Sequence, residues 1–137
     1  MPMENSKDAS MGFASLSSKY AVKETMDKME SALRSKGITI YGRIDQQAEA
    51  KKAGLEIKAL ELLLFGNPKV GIPLIMQEPL SALDLPLKIL VWEGEDGQVW
   101  VSYNNFSYLQ KRWSLPQELI DKISGVEMLI NHVLDIS

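Results

Sequence analysis

The apolar positions of this chain follow two rhythms, and the switches between them mark its elements. Val22, Met26, Met29 and Leu33 recur at spacings of four, three and four, the period that lays an apolar stripe along one side of a helix. A helix is therefore predicted over residues 21–36, with Gly37 as its left-handed stop. Glu24 sits where a capping box places its acid, but Ala21 lacks the hydroxyl that would complete the box. Ile38 to Ile44 alternates apolar residues with Thr39 and Arg43 and reads as a strand. Asp45 can then cap a short helix, Gln46 to Ala53, closed by Gly54. Leu60 to Phe65 is a short apolar run that suits a buried strand, with Leu63 and Phe65 in the core, and it halts on Gly66-Asn67-Pro68. Asn67 can cap a following helix, and Pro68 at the first helical position needs no partner for a backbone N–H. Lys69 to Gln77 is helix-like if Pro73 falls within the first turn.

Glu78 to Leu83 reads as a connection. Leu87 to Glu93 and Gln98 to Asn104 are two strands around Gly94-Glu95-Asp96-Gly97, where Asp96-Gly97 predicts a two-residue type I′ hairpin. That register sets Trp92 against Val101 and Glu93 against Trp100, placing Trp92 and Trp100 on opposite faces. Leu90, Trp92, Val101 and Tyr103 would share one face, with Ile89, Val91 and Trp100 on the other. Phe106 to Trp113 supplies one or two helical turns. Ser114 is then read as the cap of a last helix carrying Leu119, Ile123, Val126, Ile130 and Val133. Gly12 to Ser18 reads as a short first strand, and residues 1–11 are expected to form a flexible N-terminal tail. Strands and helices alternate irregularly around an antiparallel hairpin, so residues 12–137 are expected to form a single α+β domain.

Composition narrows the chemistry. A chain of 137 residues can bury a self-sufficient core. It has no cysteine and one histidine, His132, which excludes disulfides, thiolate catalysis and thiolate zinc sites. No cofactor and no metal are expected. With 15 basic against 18 acidic residues, the charge balance opposes sequence-independent nucleic-acid binding. No apolar run reaches the roughly 18–20 residues of a membrane span, and the first ten residues lack the pattern of a secretion leader. A cytoplasmic protein is expected, with neither nucleic acid nor membrane as partner.

Several segments carry a resemblance. They are Val22-Lys23-Glu24-Thr25, Gly37-Ile38-Thr39-Ile40, Arg43-Ile44-Asp45 and Gly54-Leu55, then Phe65-Gly66-Asn67-Pro68-Lys69. Asp84-Leu85-Pro86-Leu87-Lys88, Val91-Trp92-Glu93 and Gly97-Gln98-Val99-Trp100 follow. In this order, over roughly residues 18–103, the chain resembles the family known as domain of unknown function 302. The resemblance implies a β-α-β4-α fold, a curved antiparallel sheet with helices packed on one face, like half of the TATA-binding protein. It implies no established activity. Gln46 and Ile72 stand where the family often has His and Thr, and Ala59 where it often has Pro, so a polar side chain is missing at two of these positions.

The candidate chemistry is sparse. Asp45, at a strand end, is the one candidate catalytic residue, as general base or metal ligand, and it equally suits a helix cap. Asn67 and Lys69 at a helix start can hold an anion. Asp84, Tyr103, Asn104 and Asn105, with Trp92 or Trp100 as an apolar wall, can line a small-molecule pocket. Candidate ligand-binding residues are thus Asn67, Lys69, Asp84, Trp92, Trp100 and Tyr103. The leading reading is a module that binds a small ligand or its own twin, without catalysis. A two-fold homodimer is expected to cover the sheet face that the helices leave open. The alternative is a hydrolase or lyase with Asp45 as acid/base and Asn67 and Lys69 holding an anionic group.

Overall fold

A computed structural model of the chain describes residues 11–135; apart from Met11, the expected tail lies outside them. The elements are β1 (Phe13–Ser18), α1 (Val22–Ser35), β2 (Thr39–Asp45), α2 (Gln46–Lys52), β3 (Leu60–Gly66), α3 (Pro68–Gln77), β4 (Leu87–Glu93), β5 (Val99–Asn104), α4 (Phe106–Trp113) and α5 (Gln117–Val133). A 3-10 turn, Pro79–Leu83, joins α3 to β4. The strands form one sheet in the order β1-β5-β4-β3-β2, with every neighbouring pair antiparallel. β1 and β2 are the two edges, so α1 carries the chain from one edge to the other.

Alternation along the strands sends one set of side chains beneath the helices. Ala14, Leu16, Leu63, Phe65, Leu87, Ile89, Val91, Val99, Val101 and Tyr103 meet Met26, Met29 and Leu33 of α1, Leu74 of α3, Phe106 and Leu109 of α4, and Ile120, Ile123 and Ile130 of α5. The expected sharing of faces in the hairpin is therefore corrected. Val101 and Tyr103 lie with Ile89 and Val91 under the helices, and Trp100 joins Leu90 and Trp92 on the other side.

Helix ends follow the local chemistry in most places. Ala21 makes no side-chain cap, while Ser18 Oγ lies 2.7 Å from Thr25 Oγ1 and accepts from the backbone N–H of Tyr20 at the start of α1. Asp45 accepts from the N–H of Ala48 at 2.9 Å, and Asn67 from that of Lys69 at 3.0 Å. Two expectations fail. Pro73 is the sixth residue of α3, beyond its first turn, and the helix continues to Gln77 without the bond that a residue there would donate. Ser114 does not cap α5. It takes the left-handed conformation that terminates α4 (φ 53°), and Pro116 occupies the start of α5.

The Asn67 bond sets a graded expectation. Asn67→Ala should cost about 1 kcal/mol in chemical denaturation, whereas Asn67→Asp, which keeps the acceptor at a helix N-terminus, should be nearly neutral. Equal losses in the two variants would show that the amide is needed for something other than capping.

Candidate functional site

The face opposite the helices is organised by the strand register into three rows. Leu64 pairs with Lys88, and the β4–β5 register continued one step beyond Ile89–Tyr103 sets Lys88 against Asn104, which pairs with Phe13. The next row is Ile44, Leu62, Leu90, Ser102 and Ser15. The third is Leu60, Trp92, Trp100 and Ser17. Cross-strand neighbours in a row stand about 5 Å apart, and rows are two residues, roughly 6–7 Å, apart. The sheet thus presents a cationic and amide-bearing row, an aliphatic row with hydroxyls, and a tryptophan row.

Both tryptophans reach this face because the hairpin loop has three residues rather than two. Gly97 N–H bonds to the Gly94 carbonyl across Glu95-Asp96, and Gly94 N–H bonds to the Gln98 carbonyl. Gly97 then takes φ 83°, a conformation glycine adopts without strain, in the turn-plus-bulge form of the hairpin. The extra residue shifts the register by one, so Trp92 pairs with Trp100 and Glu93 with Val99. The expectation that the two tryptophans lie on opposite faces is overturned by that shift.

Phe13, Ser15, Leu62, Lys88, Leu90, Trp92, Ser102 and Asn104 surround a shallow basin of about 350 Å3. Trp92 Nε1 donates to Ser102 Oγ at 3.0 Å, and Ser102 Oγ lies 2.7 Å from Ser15 Oγ. Those three donors make two bonds, so one hydroxyl hydrogen of the serine pair stays unspent among the described residues. Among the described residues Lys88 Nζ donates only to the Pro86 carbonyl, at 3.3 Å, and no carboxylate pairs with it. The Asn104 carboxamide makes no side-chain hydrogen bond among them either. The basin therefore combines an apolar floor with spare hydrogen-bond donors.

The other residues singled out in the sequence are scattered. Tyr103 borders the basin, but its side chain belongs to the helix side, where its hydroxyl donates to Glu127 of α5 at 3.3 Å. Burial, and then the Glu127 carboxylate, push its phenol well above the ordinary range. Asp84 accepts from Trp113 Nε1 at 2.6 Å and from Arg112 at 3.3 Å, so it ties the 3-10 turn to α4. Asn67 borders a separate apolar cleft of about 120 Å3, with Tyr41, Val70, Leu74, Leu85 and Ile123, while the Lys69 side chain is in solvent. Asp45 and Asn67 do not converge. Thr39 pairs with Gly66 at one end of the β2–β3 ladder and Asp45 with Glu61 at the other, roughly 20 Å away.

Sequence reading gave no role to Lys88 or to Glu61. For Lys88 the available signal was its phase: it occupies the same alternation as Leu90 and Trp92, on the face away from the core. Glu61 falls on the helix side of β3, where Arg43 Nε donates to it at 2.6 Å and Arg43 Nη1 reaches Asp27 at 2.8 Å and Glu30 at 3.3 Å. Among the described residues no group of three His, Cys, Asp or Glu side chains could hold a metal ion.

Comparison with known proteins places the chain among relatives. It is 36% identical over 104 residues to proteins named fluoride-specific ion channel FluC 1 from Brucella suis biovar 1 and from Brucella abortus biovar 1. That stretch is 76% of this chain and 41% and 38% of those proteins, so the chain spans about two-fifths of their length. No described helix is long and apolar enough to cross a membrane. A crystal structure of an uncharacterized conserved protein DUF302 from Bacillus stearothermophilus superposes with a TM-score of 0.73 at 18% identity. The match covers 91% of this chain and 97% of that one, and shows that the fold is shared. The family model for Domain of unknown function DUF302 matches residues 14–135, and the chain belongs to that family.

Proposed function

We propose that this chain is a non-catalytic binding domain, and that it holds a small molecule in the basin on the helix-free face of its sheet. One observation carries the reading: Leu62, Leu90 and Trp92 are only partly covered there, beside donors that the described residues leave unspent. An apolar wall with a few convergent polar groups is the usual composition of a small-molecule site. Fluoride conduction forms no part of the reading, because the chain corresponds to a minor share of the relatives that bear that name. The hydrolase or lyase alternative loses its support, since Asp45 and Asn67 each cap a helix at opposite ends of one ladder.

A second copy of the chain is the other occupant that a half-covered apolar face accommodates. The charge pattern favours a ligand over a copy. The strand residues of this face supply Lys88 and no carboxylate, so two-fold packing would bring in no acid from the same strands to meet it.

Native mass spectrometry of protein purified from its host, beside Leu90→Asp, tests the reading. The wild type should carry a small-molecule mass on a monomer, and the variant should lose it with an unchanged circular dichroism spectrum. A ligand-free wild-type dimer that Leu90→Asp dissociates would replace the ligand with a second copy. A ligand retained equally by both would move the site elsewhere.

A further inference from the structure

The donors around the basin indicate which class of molecule enters it. We propose that the ligand is a small organic anion, its charged head between Lys88 and Asn104 and its apolar body across Leu62, Leu90 and Trp92. This rests on the reading of the helix-free face as the binding site.

The argument is one of unspent hydrogen-bonding capacity. An ammonium has three hydrogens, and Lys88 commits to one carbonyl, at the long end of hydrogen-bond distance. The Asn104 amide, its neighbour across β4 and β5 by register, makes no side-chain hydrogen bond among the described residues. One row away, the Ser15–Ser102 pair retains a hydroxyl hydrogen after accepting from Trp92. Cation and amide therefore border a space that contains no carboxylate from the strands, and an acceptor-rich, negatively charged group answers them together. Such charge-assisted bonds are about twice as strong as neutral ones.

The apolar part is specified by the ladder. The row beyond Lys88 and Asn104 presents Leu62 and Leu90, and the next presents Trp92 with its ring nitrogen already satisfied by Ser102. Away from the cationic row, what the wall offers is mainly aliphatic and aromatic surface. Inorganic phosphate or sulfate would leave that surface wet, while a neutral apolar molecule would leave Lys88 without a counter-charge. A carboxylate or phosphate ester with an aliphatic or aromatic body satisfies both ends.

Isothermal titration of the full chain with three probes decides the matter: 4-phenylbutyrate, its neutral amide 4-phenylbutyramide, and inorganic phosphate. Wild type should bind the acid at least about tenfold more tightly than either of the others. Lys88→Met keeps the apolar stem and removes the charge; it should bring the acid to the affinity of the amide and leave the amide unchanged. Lys88→Arg should restore the preference for the acid. Equal binding of acid and amide to wild type would overturn the anion while leaving the face as a binding site. Phosphate binding as tight as the acid would overturn the apolar body. Acid binding that neither Lys88→Met nor Leu90→Asp weakens would overturn both this inference and the site on which it rests. An acid that does not bind wild type at millimolar concentration would overturn the inference as well.

Discussion

Phe65→Ala is expected to lower the free energy of unfolding by about 3–5 kcal/mol, a large share of the ~5–15 kcal/mol that holds a domain of this size together. Phe65 is 1% exposed and sits near the end of β3, an interior strand between β4 and β2, where the sheet meets the helical layer. Its ring is the largest fully buried side chain of the core. Truncation removes its apolar contacts and leaves a cavity that the surrounding strands can only partly close. Urea denaturation followed by far-ultraviolet circular dichroism measures the loss. A midpoint close to that of wild type would mean that β3 does not anchor the core.

Arg43→Leu is expected to cost about 2–3 kcal/mol, below the ~3–5 kcal/mol for removing one partner of a fully buried ion pair, because Arg43 keeps partial contact with water. Glu61 is 7% exposed, so the variant strands a nearly buried carboxylate. The double variant Arg43→Leu, Glu61→Leu should recover part of the loss, since an apolar pair of similar volume has no charge to desolvate. The same cluster predicts a pH response. Asp27 is held below its ordinary 3.8 by hydrogen bonds from Lys23 and then Arg43, and Glu30 below its ordinary 4.5 by Arg34 and then Arg43. Both carboxyls are more acidic folded than unfolded, so their contribution is complete above about pH 5 and disappears as the pH falls through the folded values. Wild-type stability should decline from about pH 5 downward, and Arg43→Leu should decline less steeply. Identical acid slopes in the two proteins would show that Arg43 does not set those acidities.

The helical stripe of α1, the strand over Leu60–Phe65 and its stop at Asn67 were legible because each is a local pattern that tertiary packing reinforces. The sheet order was not a local matter. No periodicity says that β1 pairs with β5 while β2 lies at the far edge; the family resemblance implied the β-α-β4-α succession and a curved antiparallel sheet. The hairpin was misread for a specific reason: a Gly after Asp suits the second position of a two-residue loop and equally the left-handed position of a three-residue one. One residue of difference reverses the face of every following side chain, so the error carried through to Trp100, Val101 and Tyr103. Ser114 was misread similarly, because a serine before Leu-Pro suits a helix start and gives no sign of its left-handed backbone. Of the candidate site residues, Trp92 and Trp100 share the helix-free face, whereas Asp45 and Asn67 cap the helices that follow them and Asp84 holds Arg112 and Trp113 of α4. Glu61 was hidden because its partner, Arg43, comes from β2, distant in sequence and adjacent only once the sheet has closed.

The break in the β2 ladder between Ile40 and Gly42 bears on how copies of this protein meet. An outer strand with regular spacing is a template on which another chain can extend the sheet, the first step towards aggregates that grow without limit. Here the offset around Tyr41 interrupts the row of free amides and carbonyls, and Arg43, a charge pointing inward on a boundary strand, would need equivalent partners in any strand that docked in register. Both are recognised deterrents to edge-to-edge pairing. Crowded molecules are thereby discouraged from joining at β2 into one continuous sheet, and the half-buried leucines and tryptophan of the helix-free face can serve recognition without that risk from the neighbouring strand.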